Sequence, residues 1–203
     1  CGISGPVTFN VAAGTYTGSI NLGAVIGGSS TNTVTFNGPS TGVAKINAST
    51  GQTAATFSGT SYVTLNNLTL SNQMGHVIWM TNGAEHITVN GCKILGDTVG
   101  TSSTTGTPIA VSSVNTSPTG YGENANHITI TNNVVKGGYY GIVINGASTG
   151  TKVQDFTVTG NDVSLQYYYG IRTYYAEDLT ISNNHCHDTR SSGGYGLMVY
   201  YSN

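Results

Sequence analysis

The amino-acid sequence predicts an all-β chain: a right-handed parallel β-helix with three short strands per coil and about seven to eight coils. Three observations predict it. Small polar residues make up about half of the 203, with 29 Gly, 31 Thr, 20 Ser and 20 Asn. Val and Ile together number 32 against 8 Leu, and a β-branched excess of that size suits strands. An apolar, Thr, apolar triplet also returns along the chain, beginning at Val63, Ile87, Ile128, Phe156 and Leu179, at intervals of 24, 41, 28 and 23 residues.

Each triplet has a short apolar stretch before it and another after it. The preceding set runs Ala54 to Phe57, Val77 to Met80, Ile109 to Val111, Gly141 to Ile144, Gly170 to Thr173 and Gly196 to Val199. The following set runs Leu68 to Leu70, Cys92 to Leu95, Val134 to Val135 and Val163 to Leu165. Five residues after each triplet start stand Leu68, Cys92, Asn133, Asn161 and Asn184. Asn in three successive coils predicts a side-chain ladder at the ~4.8 Å strand spacing, at a bend whose left-handed backbone Asn tolerates. Seven after the start stand Leu70, Ile94, Val135, Val163 and Cys186, which predicts an inward column.

The long 41-residue interval contains two Gly, Ser and Thr-rich segments, Thr98 to Thr107 and Asn115 to Asn126, expected as loops inserted between strands. One domain over 1–203 is the simplest division, and the opening Cys1 suggests a piece of a longer chain. Cys92 and Cys186 fall three coil steps apart, ~14 Å along the axis. A disulfide needs Cα atoms within ~7 Å, so both are expected free, while Cys1 is left for a partner elsewhere.

Charge excludes two partner classes. Six basic and eight acidic residues leave a net charge of -2, and 7% charged residues compares with ~25% in ordinary domains. Nucleic acid and anionic membranes are therefore not expected as partners. Apolar runs such as His76 to Met80 fall far short of the ~20 residues that span a bilayer, so no membrane insertion is expected either.

The segments Gly5 to Gly18 (GPVTFNVAAGTYTG), Asn21 to Gly23 and Thr31 to Gly38 (TNTVTFNG), with the later ITITNNVV-type blocks, resemble secreted right-handed parallel β-helix proteins of the pectate-lyase-like superfamily. They are especially similar to large repetitive surface proteins of Bacteroidota-type bacteria. The resemblance implies an extracellular or cell-surface protein. It also sets the alternative function, a polysaccharide lyase or glycoside hydrolase.

That alternative needs paired acids, or an acid beside a base, on one outward face. The eight acids are Glu85, Asp97, Glu123, Asp155, Asp162, Glu177, Asp178 and Asp188. Alternation places Thr56, Trp79 (or Ile78 if the register slips), Ala110, Val143, Arg172 and Met198 outward on the first strand, none of them acidic. Glu85, Asp155, Glu177 and Asp178 come just before triplets, where acids serve as turn residues. No catalytic residue and no cofactor is assigned.

His185 and His187 share the outward face of one strand, with Asp162 in the slot below His185. Two imidazoles and a carboxylate suit Zn²⁺, yet hydrogen bonding is the favoured reading and no metal is assigned. His86, His127, Asp155 and Asp178 stack just before the triplets, again read as a hydrogen-bonded ladder.

Ten of the 13 Tyr lie beyond residue 138. Aligning Gly141, Gly170 and Gly196 stacks Tyr140, Tyr169 and Tyr195 before one strand, and Tyr174 and Tyr200 after it, with Tyr175 under Tyr201. Tyr140, Tyr169, Tyr195, Tyr174 and Tyr200, with Trp79 and Arg172, are the candidate binding face for other copies of the chain or a surface glycan. The competing reading is an aromatic ladder that stiffens turns, each stacked pair contributing ~0.5 to 1.5 kcal/mol beyond burial. A second regular feature is an outward Thr column, Thr64, Thr88, Thr129, Thr157 and Thr180, read chiefly as ordinary sheet surface.

Overall fold

The computed structural model describes residues 2–49, 51–103 and 106–203. Among the described residues, twenty-two strands form three sheets, and every pairing between these strands is parallel. Sheet 1 holds β1 (Val7–Asn10), β4 (Val34–Asn37), β7 (Ser61–Asn66), β10 (Ala84–Asn90), β14 (Ile128–Thr131), β17 (Val153–Thr159) and β20 (Ala176–Ser182), with the short β13 (Ala125–Asn126) paired to β10. Sheet 2 holds β2 (Gly14–Thr17), β5 (Ala44–Asn47), β8 (Thr69–Ser71), β11 (Lys93–Leu95), β15 (Val134–Lys136), β18 (Asp162–Ser164) and β21 (His185–His187). Sheet 3 holds β3 (Ile20–Leu22), β6 (Ala55–Ser58), β9 (Ile78–Thr81), β12 (Ile109–Val111), β16 (Ile142–Asn145), β19 (Tyr169–Tyr174) and β22 (Tyr195–Tyr200). The chain visits the three sheets in turn, which makes a right-handed parallel β-helix of seven coils.

The triplet builds sheet 1. Its central Thr is in register through all seven coils, from Thr8 and Thr35 through Thr64, Thr88, Thr129 and Thr157 to Thr180. Val7-Thr8-Phe9 and Val34-Thr35-Phe36 are therefore two further copies of the repeat. Inward neighbours Val63, Ile87, Ile128 and Phe156 are at most 1% exposed. Burying each such side chain contributes roughly 1.5 to 3 kcal/mol, the main favourable term in a chain so poor in charge.

Two left-handed corners bracket every triplet in the last five coils. Tyr62, His86, His127, Asp155 and Asp178 precede it with φ between 52 and 58°. Asn67, Gly91, Asn132, Gly160 and Asn183 follow four residues after its start with φ between 54 and 67°. Here the structure amends the expected division of labour. The Asn one position later, at 133, 161 and 184, does not carry the left-handed backbone; it points into the coil and forms the ladder. Its Nδ2 also caps carbonyls of sheet 1, Asn133 donating to Val89 O, Asn161 to Ile130 O and Asn184 to Val158 O.

Leu70, Ile94, Val135, Val163 and Cys186 pair in one register on sheet 2, so Cys186 faces the core as expected. Cys92 and Cys186 are both free and lie three coil steps apart. Cys1, and Thr104 and Thr105 of the first inserted loop, lie outside the described residues. The second inserted segment folds back along sheet 3: Asn115 Oδ1 accepts from Thr53 Oγ1, Pro118 O accepts from Asn145 Nδ2, and Tyr121 packs on Tyr174 and Tyr175.

Candidate functional site

Sheet 3 brings the predicted tyrosines together. Tyr140 stacks on Tyr169 at 5.5 Å between ring centroids, and Tyr169 on Tyr195 at 5.8 Å. Across the strand Tyr174 stacks on Tyr200 at 5.0 Å, with Tyr175 on Tyr201 at 5.4 Å beside them. The columns open toward the last coil: Tyr140 is 9% exposed, whereas Tyr195 and Tyr200 are 62% and 44% exposed.

Of the outward residues between the columns, Met198 in the last coil is half-buried and those of the coils before it are closed. Ala110 and Val143 are fully buried and Arg172 is 6% exposed. The guanidinium of Arg172 lies 5.6 Å from the Tyr140 ring centroid and 5.0 Å from that of Tyr174, and its Nη1 donates to Asn145 Oδ1. Asn145 stands in the Tyr174 slot one coil earlier, so a polar anchor replaces the aromatic there. Among the described residues no carboxylate pairs with Arg172. Burial pushes the Tyr140 phenol up to about 12, and the Tyr174 phenol is likewise raised to about 12. Both stay neutral, which leaves Arg172 as the charge of this face.

Trp79, the other candidate, lies apart from the columns. Its indole Nε1 donates to Ser112 O at 2.8 Å, which ties β9 to the residue directly after β12. Sequence reasoning also missed Tyr121, which reaches the second column only because the inserted segment folds back, a placement with no local signal. Asn145 was within reach, because Gly141 and Gly170 align it with Tyr174.

On sheet 2 the register places Asp162 beside His185 and Ser164 beside His187. His187 Nε2 meets Asp162 Oδ1 at 2.7 Å, and His187 Nδ1 meets Asp188 Oδ2 at 2.8 Å. Hydrogen bonds donated to Asp162 and then to Asp188 hold the His187 imidazole above its ordinary pKa. The His185 ring stacks on His187 at 4.3 Å. Ligand atoms of Asp162, His185 and His187 all lie within 4.8 Å of one another.

On sheet 1 the expected ladder before the triplets takes a different form. Tyr62, His86 and His127 stack ring on ring at 4.5 and 4.6 Å, and His127 Nδ1 then meets Asp155 Oδ2 at 2.8 Å. Glu177 pairs with Lys152 at 3.7 Å.

Seven stacked coils with these residues on their outer faces define a right-handed parallel β-solenoid, and among the described residues no helix is long and apolar enough to cross a membrane. The chain belongs to the NosD family, a parallel β-helix family whose model, described as periplasmic copper-binding protein (NosD), matches residues 86–203. No curated protein and no solved structure matches it.

Proposed function

We propose that this chain is part of an exported, extracellular or cell-surface β-solenoid whose tyrosine-lined face on sheet 3 holds an acidic glycan. The observation that carries it is Arg172, a guanidinium set between two Tyr rings with no carboxylate partner among the described residues. Tyr offers wide apolar area and a hydroxyl at small entropy cost, which suits the face of a sugar ring. The buried Arg172 guanidinium behind the rings gives this face a positive potential, which favours a sugar carboxylate or sulfate over a neutral sugar. Self-association fits less well, since no strand of sheet 3 carries a carboxylate that a second copy could bring to Arg172 in a symmetric contact.

The test is retention of the folded chain on immobilised polygalacturonate and alginate against neutral dextran, beside sedimentation velocity for self-association. The acidic polymers should retain the parent, and Arg172→Gln and the double variant Tyr195→Ser, Tyr200→Ser should each lose about tenfold in affinity with the β-rich circular dichroism kept. Equal retention by parent and variants would sink the reading. Release of unsaturated products or reducing ends would instead support the lyase or hydrolase alternative.

The family description names copper, and a second reading is that the chain carries a transition-metal ion. One observation favours it: the group formed by Asp162, His185 and His187, which lies inside the matched residues.

A further inference from the structure

We infer that Asp162, His185 and His187 form a divalent transition-metal site on the outer face of sheet 2, with Asp188 as its positioning residue. The inference rests on the metal-carrying reading and names the atoms for it.

The placement follows from strand geometry. β21 alternates, so Cys186 packs inward while His185 and His187 project outward, and the parallel register sets Asp162 directly beside them. No ligand has to be brought in from a distant loop. Asp188 follows β21 with φ 51°, and this left-handed residue turns its carboxylate back onto His187 Nδ1. A carboxylate on the far nitrogen of a ligating imidazole fixes its orientation and raises its basicity, as at many metal sites.

His187 Nε2 is then the ligand atom and Asp162 Oδ1 its neighbour. They stand 2.7 Å apart with a proton between them. An ion bonded to both at ~2.0 to 2.1 Å in tetrahedral geometry needs them ~3.3 Å apart, so a separation of about half an ångström admits it. The ion takes the place of that proton, which leaves to solvent. His185 is exposed and its ring nitrogens carry no hydrogen bond among the described residues, so rotation about its side-chain bonds can bring one nitrogen in.

Donor chemistry selects the ion. Two imidazoles and one carboxylate suit Cu²⁺, Zn²⁺ or Ni²⁺, with Cu²⁺ held most tightly in the usual affinity order, and are too few and too nitrogen-rich for Ca²⁺ or Mg²⁺. The inward Cys186 thiol adds no soft ligand, which disfavours Cu⁺.

The experiment is a titration of the full chain with Cu²⁺ and Zn²⁺ against a competing chelator, with electron paramagnetic resonance of the Cu²⁺ form. One ion per chain is expected, with hyperfine coupling from two imidazole nitrogens. His185→Ala and His187→Ala should each lose at least about a hundredfold in affinity, and Asp188→Asn about ten- to a hundredfold at unchanged stoichiometry. Copper held as tightly by both His variants would overturn this site and leave the broader metal-carrying reading standing. No ion held by the parent against the chelator would overturn both. Circular dichroism on each variant separates lost ligands from lost fold.

Discussion

The backbone N–H and the side-chain Nδ2 of Asn133 both donate to one oxygen, Oδ1 of Asn161 in the next coil, at 3.0 and 2.9 Å. Asn161 makes the same pair of bonds to Asn184 Oδ1 and donates as well to Ile130 O. Asn161 is 1% exposed, so losing it leaves buried donors and a carbonyl without partners. Such orphaned groups cost about 1 to 3 kcal/mol each. Asn161→Leu is expected to lower unfolding stability in urea by about 3 kcal/mol, and Asn184→Leu, at a half-buried position, by less. A loss below about 1 kcal/mol at 161 would show the ladder to be decorative.

Gly170 is required by close approach. A Cβ there would stand 2.5 Å from Gly196 O and 2.8 Å from Cys186 Sγ, and the carbonyl belongs to the next coil's backbone. Gly170→Ala should destabilise the fold by about 2 to 3 kcal/mol through this overlap. At Gly150 the nearest atom to a Cβ is Ser148 Oγ at 4.0 Å. Gly150→Ala should change the melting temperature little, within about 0.5 kcal/mol.

Acid should weaken the protein through His76. Burial pushes its imidazole from 6.5 down to about 4, and its Nδ1 accepts from the Thr107 N–H at 3.2 Å, so it is neutral when folded. The unfolded chain takes up a proton below about 6.5 that the folded chain refuses until about 4. Stability from this group is therefore full above 6.5 and falls as pH drops through that window, by about 3 kcal/mol in total. Urea midpoints between pH 7 and 4 should fall less steeply in His76→Gln; parallel slopes in parent and variant would place the acid sensitivity elsewhere.

The two core thiols should be silent toward aqueous reagents in the folded state. Burial raises Cys92 to about 11, and burial followed by the nearby Asp162 charge raises the half-buried Cys186. A disulfide-exchange reagent at pH 8 should label neither residue quickly, Cys186 ahead of Cys92, and both at once in denaturant. Rapid labelling of Cys92 without denaturant would mean that the third and fourth coils open readily.

Much of the fold was legible because a coil is a local object. Val63-Thr64-Leu65 and its later copies repeat within tens of residues, and backbone pairing between copies then forces Thr onto one face and Val, Ile or Phe onto the other. The Asn at 133, 161 and 184 could be read as a ladder because three positions in equal phase must stack. Its backbone state could not: positions 132 and 133 are both Asn, and only the fold shows which one turns and which one points inward.

The candidate sites divide along the same line. Phase alone stacked Tyr140 on Tyr169 and Tyr174 on Tyr200, and it placed Asp162 beside His185, since each of these relations spans one coil and follows from register. Contacts along the strand or across an insertion were decided only by tertiary structure. Arg172 leans between two columns and is buried there, Tyr121 arrives from a segment folded back over sheet 3, and Asp188 turns onto His187 because a left-handed residue follows the strand. Repetition encodes which residues meet one coil away, because hydrogen-bonded strands fix that spacing. The direction of a long side chain and the path of an inserted loop depend on the packing around them, which no repeat records.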